Sequence, residues 1–78
     1  MIEDQILLRK VIPLIEKSIK MDDAHYNNDT LAALLLKIGD IDKARSAAEK
    51  AIKLAKSSGA DSSFTEELLD VINSQAAN

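Results

Sequence analysis

The chain has 78 residues, which suffices for one small domain with a marginal core. It lacks cysteine, so disulfides and thiolate metal sites are excluded, and its abundant Ala, Leu, Ile, Lys and Glu favour helices. The net charge of −3 alternates along the chain, positive over residues 1–20 and 41–60 and negative over 21–40 and 61–78. Without a sustained basic face or an apolar stretch of ~20 residues, we expect neither nucleic acid nor a membrane as partner.

A first helix is predicted over about residues 2–20. Its apolar side chains recur at roughly helical spacing, at Ile6, Val11, Ile15 and Ile19. Pro13 lies inside this helix, where it cannot donate a hydrogen bond and clashes with the preceding turn. We therefore expect a kink or a break near Ile12.

A second helix is predicted over residues 29–38, after a polar loop at residues 21–28. Asn27, Asn28 or Asp29 is expected to cap it, because such side chains accept hydrogen bonds from the free N–H groups of a first turn. Apolar residues lie on nearly every side of this helix, so it should lie between neighbours. The residues expected to pack inward are Leu31, Leu34, Leu35 and Ile38.

Two further helices follow, each preceded by a turn. Gly39 should end the second helix with a positive φ, and Asp40 should cap a third helix that runs to about Ser57. The third helix carries an alanine stripe at Ala44, Ala48, Ala51 and Ala55. Gly59 should end it, and Ser62 or Ser63 should begin a fourth, with a capping box from Ser63 to Glu66. The apolar face of the fourth helix comprises Phe64, Leu68, Leu69, Val71 and Ile72.

The chain repeats itself at a separation of 33 residues. Residues 16–21, EKSIKM, line up with residues 49–54, EKAIKL, and Leu8, Val11 and Ile15 then fall on Ile41, Ala44 and Ala48. Self-similarity at this period is typical of stacked helical hairpins. The first helix is then the second half of an incomplete hairpin.

This pattern resembles the tetratricopeptide repeat, whose period is about 34 residues. The resemblance rests on Leu31-Ala32 and Leu35, on the Gly39-Asp40 turn, and on the small residues of the third helix. It implies an all-α fold of about four helices, arranged as antiparallel hairpins in a right-handed superhelical stack. Residues 1–21 would be a half repeat, 26–58 one complete repeat and 59–78 a capping helix of a single domain.

The sequence departs from the family at three positions. Asn28 stands where the family often has Trp, Ala48 where an aromatic is common, and Lys56 where Pro usually ends the unit. More loosely, the chain looks like repeat segments attached to larger bacterial proteins, including thioredoxin-like ones.

No cluster in the sequence predicts chemistry. Asp22, Asp23 and His25 are close together in the chain, but they lack the ligand spacing of a calcium loop or a zinc site. The serines fall at helix ends, and neither glycine belongs to a phosphate-binding motif. We expect no metal, no cofactor and no enzymatic activity.

Two surfaces are candidates for binding. In tetratricopeptide arrays the first helix of each pair lines a concave groove, so the resemblance implies a partner-binding groove lined by Tyr26, Asp29, Ala33, Leu36 and Lys37. The alternative for Leu36 is packing on a neighbouring helix. The first helix also lacks its hairpin partner, which would leave Ile2, Ile6 and Leu7 free for self-association.

These observations predict a protein–protein interaction or assembly module, either homodimeric or docked on a parent domain. The alternative is a structural appendage that stabilises or positions a neighbouring catalytic domain, for example a thioredoxin-like one, in a longer chain. The location would be cytoplasmic if Met1 is the native start, and otherwise set by an upstream segment.

Overall fold

The protein is all-α. A computed structural model describes residues 2–77, with the side chains of residues 5–76. The four helices are α1 (Ile2–Met21), α2 (His25–Lys37), α3 (Ile41–Ser58) and α4 (Ser63–Ala77), and no strand occurs in the described part. None of these helices is long and apolar enough to cross a membrane.

The helices pack in chain order. The most extensive contact is that of α2 with α3, whereas α1 packs on α2, and α4 packs on α3 and touches α2. Over the described residues, α1 makes no close backbone approach to α3 or α4. The thinnest dimension is 16 Å. This depth holds two layers of helices, because packed helix axes lie about 8–10 Å apart.

The core consists mainly of alanine. The five buried residues of α3 are all alanine, and four of them, Ala44, Ala48, Ala51 and Ala55, are fully inaccessible to solvent. Ile72 of α4 is the only large side chain described as fully buried. Because small side chains let helix backbones approach closely, α2 and α4 can both pack against α3. The residues of the core cluster are Ile12, Ala32, Leu35, Ala44, Ala47, Ala48 and Ile72.

Both predicted glycine turns are confirmed. Gly39 has φ 82° and Gly59 has φ 76°, in the left-handed region that glycine enters without steric cost. After α2 the N–H of Asp40 donates to the carbonyl of Leu35 at 2.9 Å, and after α3 the N–H of Ala60 donates to the carbonyl of Ala55 at 2.8 Å. These bonds satisfy carbonyls that the helix ends would otherwise leave free.

The expected break at Pro13 is wrong, because α1 is helical throughout. The proline is exposed, and α1 is attached to α2 on both sides of it. Toward its start, Gln5 Nε2 donates to the carbonyl of Lys37 at 2.9 Å, and near its end Asn27 Nδ2 donates to Ser18 Oγ at 3.1 Å. Tertiary contacts therefore offset the one backbone hydrogen bond that proline removes.

The predicted start of α2 is wrong by four residues. The helix begins at His25, and its N-cap residue is Ala24, which has an extended backbone and no side-chain capping bond. Asn27 and Asn28 therefore lie in the first turn, where they are buried and donate to the connection after α1 instead of capping.

The other predicted caps are partly corrected. Asp40 occupies the N-cap position of α3 without a side-chain capping bond, and its carboxylate lies 3.9 Å from Lys43 Nζ. The capping box at Ser63 is wrong. Instead, Ser62 Oγ donates to Glu66 Oε2 at 2.6 Å, and the N–H of Ser63 donates to Asp61 Oδ1 at 2.9 Å. The side chains that make hydrogen bonds at the start of α4 are therefore those of Asp61 and Ser62, which precede Ser63.

The stability of the fold should depend on the size of the side chain at position 48. Ala48 is fully buried between helices, so Ala48→Leu should lower the free energy of unfolding by about 1–3 kcal/mol through overpacking. Urea denaturation followed by circular dichroism measures this. Ser57→Leu, at an exposed position of the same helix, is the matched control and should stay close to wild type. Equal stability of the two variants would contradict close packing around α3.

Candidate functional site

The predicted groove residues lie along one side of α2, as their helical spacing requires. Tyr26 is 57% exposed, but its hydroxyl donates to Asp22 Oδ2 at 3.2 Å, and this bond raises the pKa of the phenol. Leu36 is half-buried and packs against the core, as the alternative expected. Ala33 is half-buried and Lys37 is exposed.

Asp29 is the least solvated of the charged groove residues. It is half-buried, and its Oδ1 atom is buried without a hydrogen-bond partner among the described residues. The groove therefore presents one exposed aromatic ring and one exposed lysine, whereas the unpartnered Oδ1 atom of Asp29 is buried beneath the surface. Whether it binds a partner stays a prediction.

A cleft on the other side of α2 was not foreseen. It has a volume of about 500 Å³ and lies between α1 and α3, with α2 as its floor. Leu31, Leu35 and Ile19 provide apolar lining, and Lys20 and Lys50 are among the charged residues at the rim. No sequence pattern could reveal this cleft, because it results from the separation of α1 and α3.

A polar cluster of Asp23, Asn28 and Lys50 lies at one end of the cleft. The carboxylate of Asp23 accepts a hydrogen bond from Asn28 Nδ2 at 2.9 Å and lies 3.0 Å from Lys50 Nζ of α3. The bond from Asn28 and the ammonium of Lys50 hold the pKa of Asp23 below its ordinary value. This group links the α1–α2 connection to both α2 and α3.

The acidic and histidine residues considered for metal binding are engaged separately. Asp22 accepts from Tyr26, Asp23 accepts from Asn28, and the ring of His25 stacks edge-on against the ring of Tyr26 at 5.8 Å. In the part of the chain that the structure describes, no three His, Cys, Asp or Glu residues are grouped to hold a metal ion.

The most prominent surface feature is apolar exposure on the two terminal helices. Among the described side chains, α1 and α4 carry six of the seven large hydrophobic residues that are exposed. They are Ile6, Leu7, Leu14 and Met21 on α1, and Phe64 and Val71 on α4. We call Leu7, Leu14 and Met21 the α1 stripe, and Phe64 and Val71 the α4 pair.

This surface was only partly predicted. Ile6 and Leu7 are exposed as expected, whereas the side chain of Ile2 lies outside the described residues. Leu14 and Met21 were missed, although their seven-residue spacing from Leu7 puts all three on one helix face. On α4, Phe64 and Val71 belong to the predicted apolar face but are 66% and 48% exposed.

Comparisons of the chain with protein-family models, with curated proteins and with solved structures gave no match. The function is therefore inferred from the contacts, exposure and charges of the described residues.

Asn28 should control the pKa of Asp23. The hydrogen bond from Asn28 is the largest cause of the lowered pKa of Asp23, and Asn28→Ala removes it. The pKa of Asp23 should therefore rise toward its ordinary value, and NMR of the side-chain carboxyl would measure this change. Because the wild-type pKa is lowered by folding, Asp23 stabilises the fold above its unfolded-state pKa and loses this effect as pH falls through the folded value. In the Asn28→Ala variant the folded-state pKa of Asp23 should lie closer to its unfolded-state pKa. The pH range over which the protonation of Asp23 lowers stability should therefore be smaller.

Asp61 is the internal control for this titration. Its pKa is also lowered, by hydrogen bonds from Ser63 at the start of α4, and it makes no hydrogen bond with Asn28. The pKa of Asp61 should be the same in both proteins. An unchanged pKa of Asp23 in the Asn28→Ala variant would contradict the assigned connection.

Proposed function

We propose that the protein is a protein–protein interaction or assembly module without catalytic activity of its own, built as part of a right-handed, tetratricopeptide-like stack. The observation that carries this proposal is the exposed apolar surface of the terminal helices. Leu7, Leu14 and Met21 share one helix face, and apolar exposure concentrated on one face is characteristic of contact surfaces, whereas single exposed residues are ordinary. The binding partner is a protein, since the surface is a helix face and not an enclosed pocket.

The α1 stripe supports recognition of another helix. Leu7 is 61%, Leu14 66% and Met21 80% exposed, and the three recur at the heptad spacing with which one helix packs along another. Lys10 and Lys17 lie between them on the same face and are exposed. A partner helix with an apolar seam and acidic flanks would be complementary to this face.

The groove on α2 supports a second contact of the same module. Tyr26 and Lys37 are exposed at its two ends, and the half-buried Asp29 lies between them. These groups would suit a peptide whose apolar side chains pack on the Tyr26 ring.

Photocrosslinking in cells that make the protein would test this function. A photoreactive phenylalanine analogue at Leu14 should form a discrete covalent adduct with a protein partner upon irradiation. The same analogue at Lys53, which is exposed on α3, is the matched control and should give no such adduct. A crosslink to another domain of the same polypeptide would instead favour a structural appendage, and the absence of any adduct at Leu14 would contradict the proposed function.

A further inference from the structure

The repeat extends to α2 and α4. In the 33-residue register, residues 31–38, LAALLLKI, fall on residues 64–71, FTEELLDV. Large apolar residues coincide at four positions, pairing Leu31 with Phe64, Leu35 with Leu68, Leu36 with Leu69, and Ile38 with Val71. Thus α4 is equivalent to α2, as α1 is equivalent to α3.

The equivalent positions differ in what covers them. Leu31 and Ile38 of α2 are half-buried and pack against the core, because α2 has α1 on one side and α3 on the other. Their counterparts Phe64 and Val71 are 66% and 48% exposed. α4 packs on α3, and within residues 2–77 no further helix covers it in the way that α3 covers α2.

The same difference appears at the other end of the molecule. Leu14 falls on Ala47 of α3 in the 33-residue register, and Met21 falls on Leu54. Ala47 is 7% exposed and Leu54 is half-buried, whereas Leu14 and Met21 are 66% and 80% exposed. α1 packs on α2 as α3 packs on α4, but in the part of the chain that the structure describes no other helix covers α1 in the way that α2 covers α3.

Among the described side chains, the charges beside the two uncovered faces are opposite in sign. Lys10 and Lys17 flank the α1 stripe, whereas Glu67 and Asp70 flank the α4 pair, and all four side chains are exposed. The sequence of α4, residues 63–77, contains no Lys, Arg or His. Pairing α1 with α1, or α4 with α4, would bring like charges together, whereas pairing α1 with α4 brings opposite charges together.

We propose that α4 of one copy packs against α1 of a second copy, in the way that α2 packs against α3 within a copy. This inference rests on the proposed function and names the partner as the chain itself. Each contact completes one helical hairpin and leaves a free α1 face at one end and a free α4 face at the other. Such head-to-tail contacts use two different surfaces, so they produce open chains or closed rings.

One-sided variants test the direction of assembly. Leu14→Glu adds an acid to the α1 stripe and leaves α4 intact, whereas Phe64→Glu disrupts the α4 pair and leaves α1 intact. Both side chains are 66% exposed, so neither change should unfold the protein, and circular dichroism would verify the helical content. Lys53→Glu, an exposed change on α3, is the matched control and should assemble as the wild type does.

Light scattering coupled to gel filtration, over a wide range of concentration, provides the readout. The wild type should exceed twice the monomer mass and lose mass as salt rises, because salt screens the pairs between copies. Each one-sided variant alone should remain a monomer. Their equimolar mixture should form a dimer that does not grow further, since only the α4 face of Leu14→Glu and the α1 face of Phe64→Glu remain usable.

Two results would overturn the inference, and a crosslinking result would separate it from the proposed function. A wild type that stays monomeric at high concentration would contradict the α1–α4 contact between copies. If that monomer cosedimented with anionic vesicles, the α1 stripe would instead bind a lipid surface. Self-association of Phe64→Glu alone would indicate a symmetric contact between α1 faces. A protein crosslink at Leu14 with a monomeric wild type would leave the proposed function standing while rejecting the second copy as partner.

Discussion

The close packing of α2 on α3 is the contact on which the rest of the molecule depends. Alanine makes it possible, because a face of five buried alanines lets neighbouring backbones approach α3 from two sides. The Gly39 turn joins the two helices tightly, with its positive φ and the hydrogen bond from Asp40 to Leu35. Small side chains bury little area each, so the hairpin needs α1 and α4 to cover Leu35 and Ala44.

This dependence explains why the ends of the molecule expose apolar surface. Among the described helices, α2 and α3 each contact a helix before them and a helix after them, whereas α1 contacts only α2, and α4 contacts only helices that precede it. Residues that are covered in α2 and α3 have uncovered counterparts in α4 and α1, such as Val71 and Leu14. The apolar exposure therefore reflects how many packed neighbours each helix has among the described residues, and the opposite charges beside the α1 stripe and the α4 pair make those surfaces complementary.

The buried asparagines at the start of α2 show how polar groups determine the packing of α1. Asn28 is 2% exposed and donates to Asp23 and to the carbonyl of Ala24, and Asn27 donates to Ser18 and to the carbonyl of Asp22. Buried amides require such partners, so these bonds restrict the angle at which α1 meets α2. The Asp23–Lys50 contact then extends the connection to α3.

Local features of the sequence determined much of this structure. Helical periodicity predicted four helices, and the glycines at positions 39 and 59 marked two of the helix ends, because a positive φ is a local property of the backbone. The inward packing of Leu35 followed from the apolar stripe of α2.

Only the tertiary structure decided the features that depend on contacts between distant residues. α2 begins at His25 because Asn27 and Asn28 find partners near the end of α1, which outweighs their ordinary preference for capping. α1 continues through Pro13 because contacts on both sides of it attach the helix to α2. The exposure of Leu14, Met21 and Phe64 likewise depends on which neighbours are present, and apolar periodicity alone carries no information about that.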